Sequence, residues 1–189
     1  MIWLTRRGAA AALAVGLATI WGFGWRGALL LLAFFVLSTL LSRRSTARNA
    51  RQVMANGGIA ALAALAGNWA WFAGALAAAN ADTWSTEIGS RSRTTPRLIT
   101  NGDRVPVGTD GGMTLLGTAG GIAGAAFVAG LSFLLGQRGA LAIAVAGIAG
   151  MLVDSLLGAA VQGKVRWMDN DAVNLAATLM GAVCAGLIA

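Results

Sequence analysis

Seven carboxylates are the only acidic side chains in this chain, and four of them fall between residues 82 and 110. Asp82 and Glu87 lie in the run ADTWSTEIG at 81–89, and Asp110 lies in the run GTDGGMT at 108–114. Carboxylate and hydroxyl oxygens are ligands for a divalent cation, and glycine-rich turns present backbone amides to phosphate. The stretch 80–121 therefore predicts one part of a site for a phosphorylated ligand.

The spacing of Asp82 and Glu87 limits how they act together. Five residues place them about 140° apart around an ideal helix, so they share one ion only if the helix ends or bends between them. Thr83 shares a face with Glu87. Acidic residues inside an apolar helix are functional candidates. The alternative is that both carboxylates only pair with nearby arginines.

Asp154 follows an uninterrupted apolar run at 141–153. Gly158 and Gln162 continue its helical face at i+4 and i+8. A carboxylate in such a setting requires a cation, a metal or a polar partner. We predict a functional carboxylate at this position, and a buried ion pair with an arginine is the alternative.

Two glycine-rich stretches are predicted to open helices. The 108–114 run would place backbone amides of Gly111 and Gly112 at a helix start, although it lacks the Gly-Lys-Ser/Thr of a P-loop. Asn56 and Gly57 would start a second helix beside Arg51. The alternatives are ordinary turn chemistry for the first stretch, and a flexible basic loop followed by close helix packing for the second.

The last apolar segment carries a polar stripe of Asp171, Asn174 and Thr178 at i, i+3 and i+7. Asp169 or Asn170 is expected to cap this helix, with Asp171 in its first turn. Capping is the alternative to a functional role for both aspartates. It does not explain Asn174, because an amide within a span needs a partner.

The composition is that of a membrane protein. The chain of 189 residues is 57% hydrophobic and 11% charged, against about 25% charged in soluble domains. We predict an all-α, polytopic membrane helical bundle forming a single integral membrane domain over 1–189. The net charge of +7 is attributed to arginines at span ends rather than to nucleic-acid binding. The absence of histidine excludes histidine-based catalysis, and the lone Cys184 excludes an internal disulfide.

Seven short spans are expected, with six as the alternative, and the choice depends on 53–89. The expected spans are 8–23, 27–41, 53–66, 70–89, 114–135, 139–161 and 171–188. If 53–89 forms one span, the lysines and arginines divide equally between the two sides of the membrane. With a turn at Gly67, twelve of the fourteen fall on the N-terminal side. The positive-inside rule favours this second arrangement and a cytoplasmic N-terminus.

Several motifs together resemble the phytyl-phosphate kinase family of membrane proteins. They are the runs at 51–57, 81–89, 108–112, 154–159 with Gln162, and 170–174. The resemblance covers most of the chain from Arg48 onward. It implies phosphoryl transfer from a nucleotide, commonly CTP, to an isoprenoid monophosphate such as phytyl or geranylgeranyl phosphate, giving the diphosphate. The carboxylates predict that Mg²⁺ holds the nucleotide phosphates, and the charge distribution predicts that the site lies at the cytoplasmic face of a prokaryotic inner membrane.

Under this hypothesis Asp82, Glu87 and Asp154 are the catalytic carboxylates and hold Mg²⁺. The nucleotide and phosphate ligands are expected to bind a wider set: Arg51, Asn56, Gly57, Thr83, Asp110, Gly111, Gly112, Ser155, Gln162, Asp171 and Asn174. The expected partners are a prenyl-phosphate lipid, a nucleotide and membrane lipids, without nucleic acid. The alternatives are a small transporter for a phosphorylated or cationic solute, and cytidylyl transfer to a lipid phosphate.

Overall fold

A computed structural model of the chain describes residues 3–42 and 47–189. Two of the arginines counted above, Arg43 and Arg44, lie outside the described residues. The described chain contains six helices and one short antiparallel pair of strands. In chain order these are α1 (Arg6–Leu41), α2 (Ala50–Leu65), α3 (Trp69–Gly89), β1 (Arg97–Leu98), β2 (Gly112–Met113), α4 (Leu115–Leu134), α5 (Ala140–Ala160) and α6 (Asn170–Ile188).

Helix α1 is folded back on itself at Gly24. Gly24 has φ +58°, a conformation that glycine adopts without a steric penalty. A Cβ on Gly27 would lie 2.8 Å from Cγ2 of Thr19, and the rings of Trp3 and Phe35 are 6.2 Å apart. Residues separated by 32 positions in a straight helix would be about 48 Å apart. The two arms are therefore antiparallel and correspond to the segments predicted at 8–23 and 27–41.

Helix α2 begins earlier than the glycine pair at 57–58. The side chain of Asn49 accepts a hydrogen bond from the Gln52 backbone N–H at 3.0 Å, and the Gln52 side chain accepts one from Asn49. This capping box satisfies two backbone donors at the helix start. The expectation that a helix starts at Asn56 and Gly57 is therefore wrong, because both lie inside α2, where Gly57 allows close packing on Val15.

The chain turns between α2 and α3, as the charge distribution predicts. The N–H of Gly67 bonds to the carbonyl of Ala64, and that of Asn68 bonds to the carbonyl of Ala63, both at 3.0 Å. With Gly67 at φ +66°, this is a Schellman motif. Asn68 then caps α3 by accepting from the N–H of Trp71. One glycine and one asparagine thus end one helix and begin the next.

Helix α3 occupies the centre of the bundle and contacts each of the other helices. Its side chains from Phe72 to Ala81 are buried. Glycines of α4, α5 and α6 pack against its alanine-rich surface, which permits close approach of the helix axes. The amide of the fully buried Asn80 accepts from Ser38 Oγ and donates to the Gly124 carbonyl, both at 2.8 Å.

The described helices fit a polytopic membrane protein. Four of them, α1, α4, α5 and α6, are long and apolar enough to cross a membrane. The count of six helices equals the alternative prediction, and the fold in α1 supplies a seventh segment. Both ends of α1 lie at one end of the bundle, because Thr5 N–H bonds to the Arg48 carbonyl and Arg91 donates to the Leu41 carbonyl.

Candidate phosphate and lipid site

A cavity of about 860 Å³ opens at this end of the bundle. Consecutive helices from α2 to α6 run antiparallel, so the C-terminal ends of α3 and α5 meet the N-terminal ends of α2, α4 and α6 here. The cavity is lined by Asp82, Thr83 and Glu87 from α3, by Asp154 and Ser155 from α5, and by polar residues from the other elements. All the carboxylates of the described chain belong to this end, because they lie on these helix ends or their connections.

Asp82 and Asp154 form the centre of the polar lining. The two side chains belong to different helices and lie within hydrogen-bonding range of each other, and Asp110 is near enough to repel Asp154. Within the described chain, Oδ2 of Asp154 is buried and has no hydrogen-bond partner. Two adjacent carboxylates repel each other unless a cation or a proton lies between them. This pair is therefore suited to a bound cation.

Glu87 also lines the cavity and contacts the end of α1. It is 8% exposed, and its Oε1 accepts a hydrogen bond from Ser42 Oγ at 2.8 Å. Within residues 3–42 and 47–189, no group of three or more His, Cys, Asp or Glu side chains is arranged to hold a metal ion. The structure therefore does not gather Asp82, Glu87 and Asp154 into one three-ligand cluster.

The connection between α3 and α4 forms a wall of the cavity. Its strands pair Arg97 with Met113 and Leu98 with Gly112. A Cβ on Gly111 would meet the Cβ of Ala159 and lie 2.6 Å from the Ser155 carbonyl. Gly111 also has φ +74°. Only glycine fits both conditions, so this residue brings the loop and its Asp110 onto α5 beside Asp154.

Helix α4 begins immediately after this loop. The side chain of its N-cap, Thr114, accepts from the Gly117 backbone N–H at 3.0 Å. The prediction that the 108–114 run leads into a helix is confirmed. Gly111 and Gly112 line the cavity. Other protein atoms lie close to the position that a Cβ would occupy at each residue, which is one reason for glycine at both positions.

The remaining predicted residues divide into two groups. Asn56, Gly57, Gln162 and Asn174 line the cavity together with the residues described above. Arg51 and Asp171 do not line it.

Arg51 instead joins the starts of α2 and α6. Its Nη2 is 2.7 Å from Asp169 Oδ2, and its Nε is 3.7 Å from Asp171 Oδ2. The backbone N–H of Ala172, followed by the side chain of Arg51, holds the pKa of Asp169 below its ordinary value. Asp169 is the N-cap of α6 and Asp171 lies in its first turn. The capping interpretation of these two aspartates is confirmed, and the structure places Arg51 in an ion pair at the cavity's edge.

The chain matches the family described as "Integral membrane protein DUF92" over residues 1–182. The chain belongs to this family. No solved structure matches it.

Three relatives show how widely similar chains occur. The uncharacterized membrane protein MJ0933 of Methanocaldococcus jannaschii is 37% identical, over 92% of this DUF92 chain and 81% of its own length. The protein VTE6, chloroplastic, of Arabidopsis thaliana is 29% identical, over 98% of this chain and 65% of its own length. The uncharacterized membrane protein sll0875 of Synechocystis is 29% identical, over 88% of this chain and 75% of its own length.

The DUF92 cavity also has polar lining residues that the sequence analysis did not assign to the site. Arg48 lines it directly, with its guanidinium carbon 5.6 Å from the ring centroid of Phe35. Gln52 and Asn56 are one helical turn apart on α2 and both face the cavity. That i, i+4 spacing is the signal that would have identified Gln52.

The cavity continues from its polar end as an apolar arm along α1. Residues from both arms of the α1 hairpin line it: Ala12, Val15, Gly16, Ile20, Ala28, Leu31, Leu32, Phe34 and Phe35. Ile20 is 52% exposed and Leu32 is 57% exposed. In a membrane these exposed side chains face lipid, so the arm is a passage from the polar site toward the bilayer.

Proposed function

We propose that this DUF92 protein is a CTP-dependent prenyl-phosphate kinase that converts an isoprenoid monophosphate to the diphosphate at the cytoplasmic face of a prokaryotic inner membrane. One observation carries the proposal. A single cavity joins the half-buried Asp82–Asp154 pair to an apolar arm that opens toward the bilayer. A lipid with a phosphate headgroup has matching polar and apolar parts. The resemblance of the motifs to the phytyl-phosphate kinase family supports the same reaction.

The residues at the polar end suit Mg²⁺. They offer hard oxygen ligands, and Asp154 Oδ2 is buried without a hydrogen-bond partner in the described chain. Magnesium in nucleotide enzymes is typically held by one or two carboxylates, with substrate phosphates and water as further ligands. Asp82 and Asp154 would hold the ion. When bound, it would supply positive charge that stabilises the negative charge of the reacting phosphates.

Positioning is the main task of the remaining residues. A phosphate oxygen of the lipid monophosphate attacks the γ-phosphorus of CTP, the bond to the β-phosphate oxygen breaks, and CDP leaves. The attacking oxygen is already anionic, so no general base is required. Arg48 would bind phosphate where the apolar arm meets the polar end. Gln52, Asn56 and Asn174 offer amide groups to phosphate or ribose.

The transporter alternative requires access to the carboxylates from both sides of the membrane. The described carboxylates instead lie at one end of the bundle. On the other side of Asp82, α3 is buried from Phe72 to Ala81. The packing favours an enzyme with a one-sided polar pocket.

The test uses purified protein in detergent or nanodiscs with CTP, Mg²⁺ and geranylgeranyl phosphate. We expect geranylgeranyl diphosphate and CDP in equal amounts, identified by mass spectrometry. Release of pyrophosphate with a cytidylylated lipid would instead establish cytidylyl transfer. Absence of any nucleotide-dependent product across phytyl, geranylgeranyl and farnesyl phosphates would refute the proposal.

A further inference from the structure

We infer that the groove between the two arms of α1 is the binding path of the isoprenoid chain, and that Gly16 keeps this path open. The inference rests on the proposed function for the identity of the lipid. It adds where the chain lies, which way it points and which residues determine the chain lengths that bind.

Helical spacing defines the two walls of the groove. Ala12, Gly16 and Ile20 follow one another at i, i+4 and i+8 on the first arm, so they form a single stripe. On the second arm Ala28, Leu32 and Phe35 form the corresponding stripe. The arms are antiparallel about Gly24, so Ile20 and Ala28 lie near the fold and Phe35 lies near the polar end.

Gly16 lies between Ala12 and Ile20 on its stripe. Nothing lies within 4 Å of the position that a Cβ on Gly16 would occupy. This glycine therefore serves neither close helix packing nor a turn. Gly22 and Gly24 differ from it, because a Cβ on Gly22 would meet the Ala64 carbonyl and Gly24 has a positive φ. A larger side chain at 16 would project into the groove.

Charge fixes the direction of the lipid. Arg48 is over the Phe35 ring, and its backbone is hydrogen-bonded to Trp3 and Thr5 at the start of α1. A phosphate at Arg48 places the first isoprene units beside Phe35 and later units beside Gly16, about 16 Å along the arm from Thr5. The far end emerges between the exposed Ile20 and Leu32 into the bilayer. The lipid thus enters from the membrane.

The experiment measures kcat/KM for geranyl, farnesyl and geranylgeranyl phosphates in Gly16→Leu. The added side chain excludes the distal part of the lipid, so we expect about a tenfold loss with geranylgeranyl phosphate. The loss should be smaller with farnesyl phosphate and smallest with geranyl phosphate. It should appear in KM, because position 16 is remote from the reacting phosphates.

Gly130→Leu is the matched control. Gly130 is an exposed helical glycine of α4 with open space at its Cβ, and it does not line the cavity. Ala28→Leu narrows the groove from the opposite arm and provides a second test if Gly16→Leu fails to fold. Equal losses for all chain lengths, or no loss in both variants, would overturn the inference.

Binding distinguishes this inference from the proposed function. Native mass spectrometry measures retention of geranylgeranyl phosphate without requiring turnover. Retention by the wild type and loss in Gly16→Leu, without any product from CTP, would support the groove and refute the kinase. Product formation by Gly16→Leu with the chain-length preference of the wild type would support the kinase and refute the groove.

Discussion

The side chains of Asp82 in α3 and Asp154 in α5 lie within hydrogen-bonding range of each other, although 72 positions separate them in the chain. They are neighbours because each lies about two turns before the C-terminal end of its helix, and α3 and α5 run parallel to each other. Small residues make this possible, since Gly147 and Gly150 of α5 pack directly on Ala77 and Ala78 of α3. The pair is the basis of the proposed chemistry.

Replacing Asp154 by Asn should reduce product formation from CTP about a hundredfold or more. The substitution removes one of the two negative charges that would hold the cation at the reacting phosphates. Asp103→Asn is the matched control, since Asp103 is exposed, bonds to Asn101 and does not line the cavity. The measurement is the initial rate of diphosphate formation. Equal activity in the two variants would contradict the assignment.

Replacing Asp82 by Asn should raise the Mg²⁺ concentration needed for half-maximal activity by at least about tenfold. The remaining carboxylate of Asp154 still binds the ion, so high Mg²⁺ should recover part of the rate. A titration of activity against Mg²⁺ after chelation with EDTA checks this. Loss of activity with an unchanged Mg²⁺ midpoint would show that Asp82 acts otherwise.

Gly111→Ala should separate the loop from α5 and reduce both stability and activity. Residue 111 has a positive φ, and the added methyl group would collide with the Cβ of Ala159. Gly102→Ala controls for the backbone strain alone, because Gly102 has φ +76° and open space. The strain costs about 1–2 kcal/mol in either variant, and overpacking adds about 1–3 kcal/mol in Gly111→Ala. The melting temperature and the rate of the proposed phosphoryl transfer should therefore fall further in Gly111→Ala.

The ion pair of Arg51 with Asp169 should give a pH-dependent contribution to stability. The pKa of Asp169 is lowered by the Ala172 backbone N–H and by Arg51, so its contribution is present at neutral pH and is lost as the pH falls below the ordinary value of 3.8. Asp169→Asn retains a capping oxygen but loses the charge. Its melting temperature should fall by at most about 3 °C at pH 7, because the pair is exposed. The difference should disappear in acid.

The proposed orientation can be tested by cysteine labelling in a Cys184→Ser background. Asn68→Cys lies in the α2–α3 turn and should react with an impermeant maleimide from the outside of intact cells. Asn101→Cys lies in the loop beside the cavity and should react only after permeabilisation. Both positions are exposed. The opposite pattern would place the polar site outside the cell and exclude use of cytoplasmic CTP.

Much of the fold could be predicted because its signals are local. Apolar runs locate the helices, and the residues that end and begin them are neighbours in sequence, as Gly67 and Asn68 show. The start of α2 is equally local, in the pair Asn49 and Gln52, but the glycines at 57–58 give a competing start signal. Glycine inside a membrane helix more often marks close packing than a helix end.

The sequence by itself determined the class of protein, the turns between helices and the set of polar residues from which a site could be made. Only the tertiary structure decided which of them meet. It paired Asp82 with Asp154, left Glu87 with Ser42, placed Arg51 on Asp169 and brought Arg48 to the cavity. The reason is physical. Helix formation depends on residues within one turn, whereas partners between helices depend on how small residues let distant segments approach.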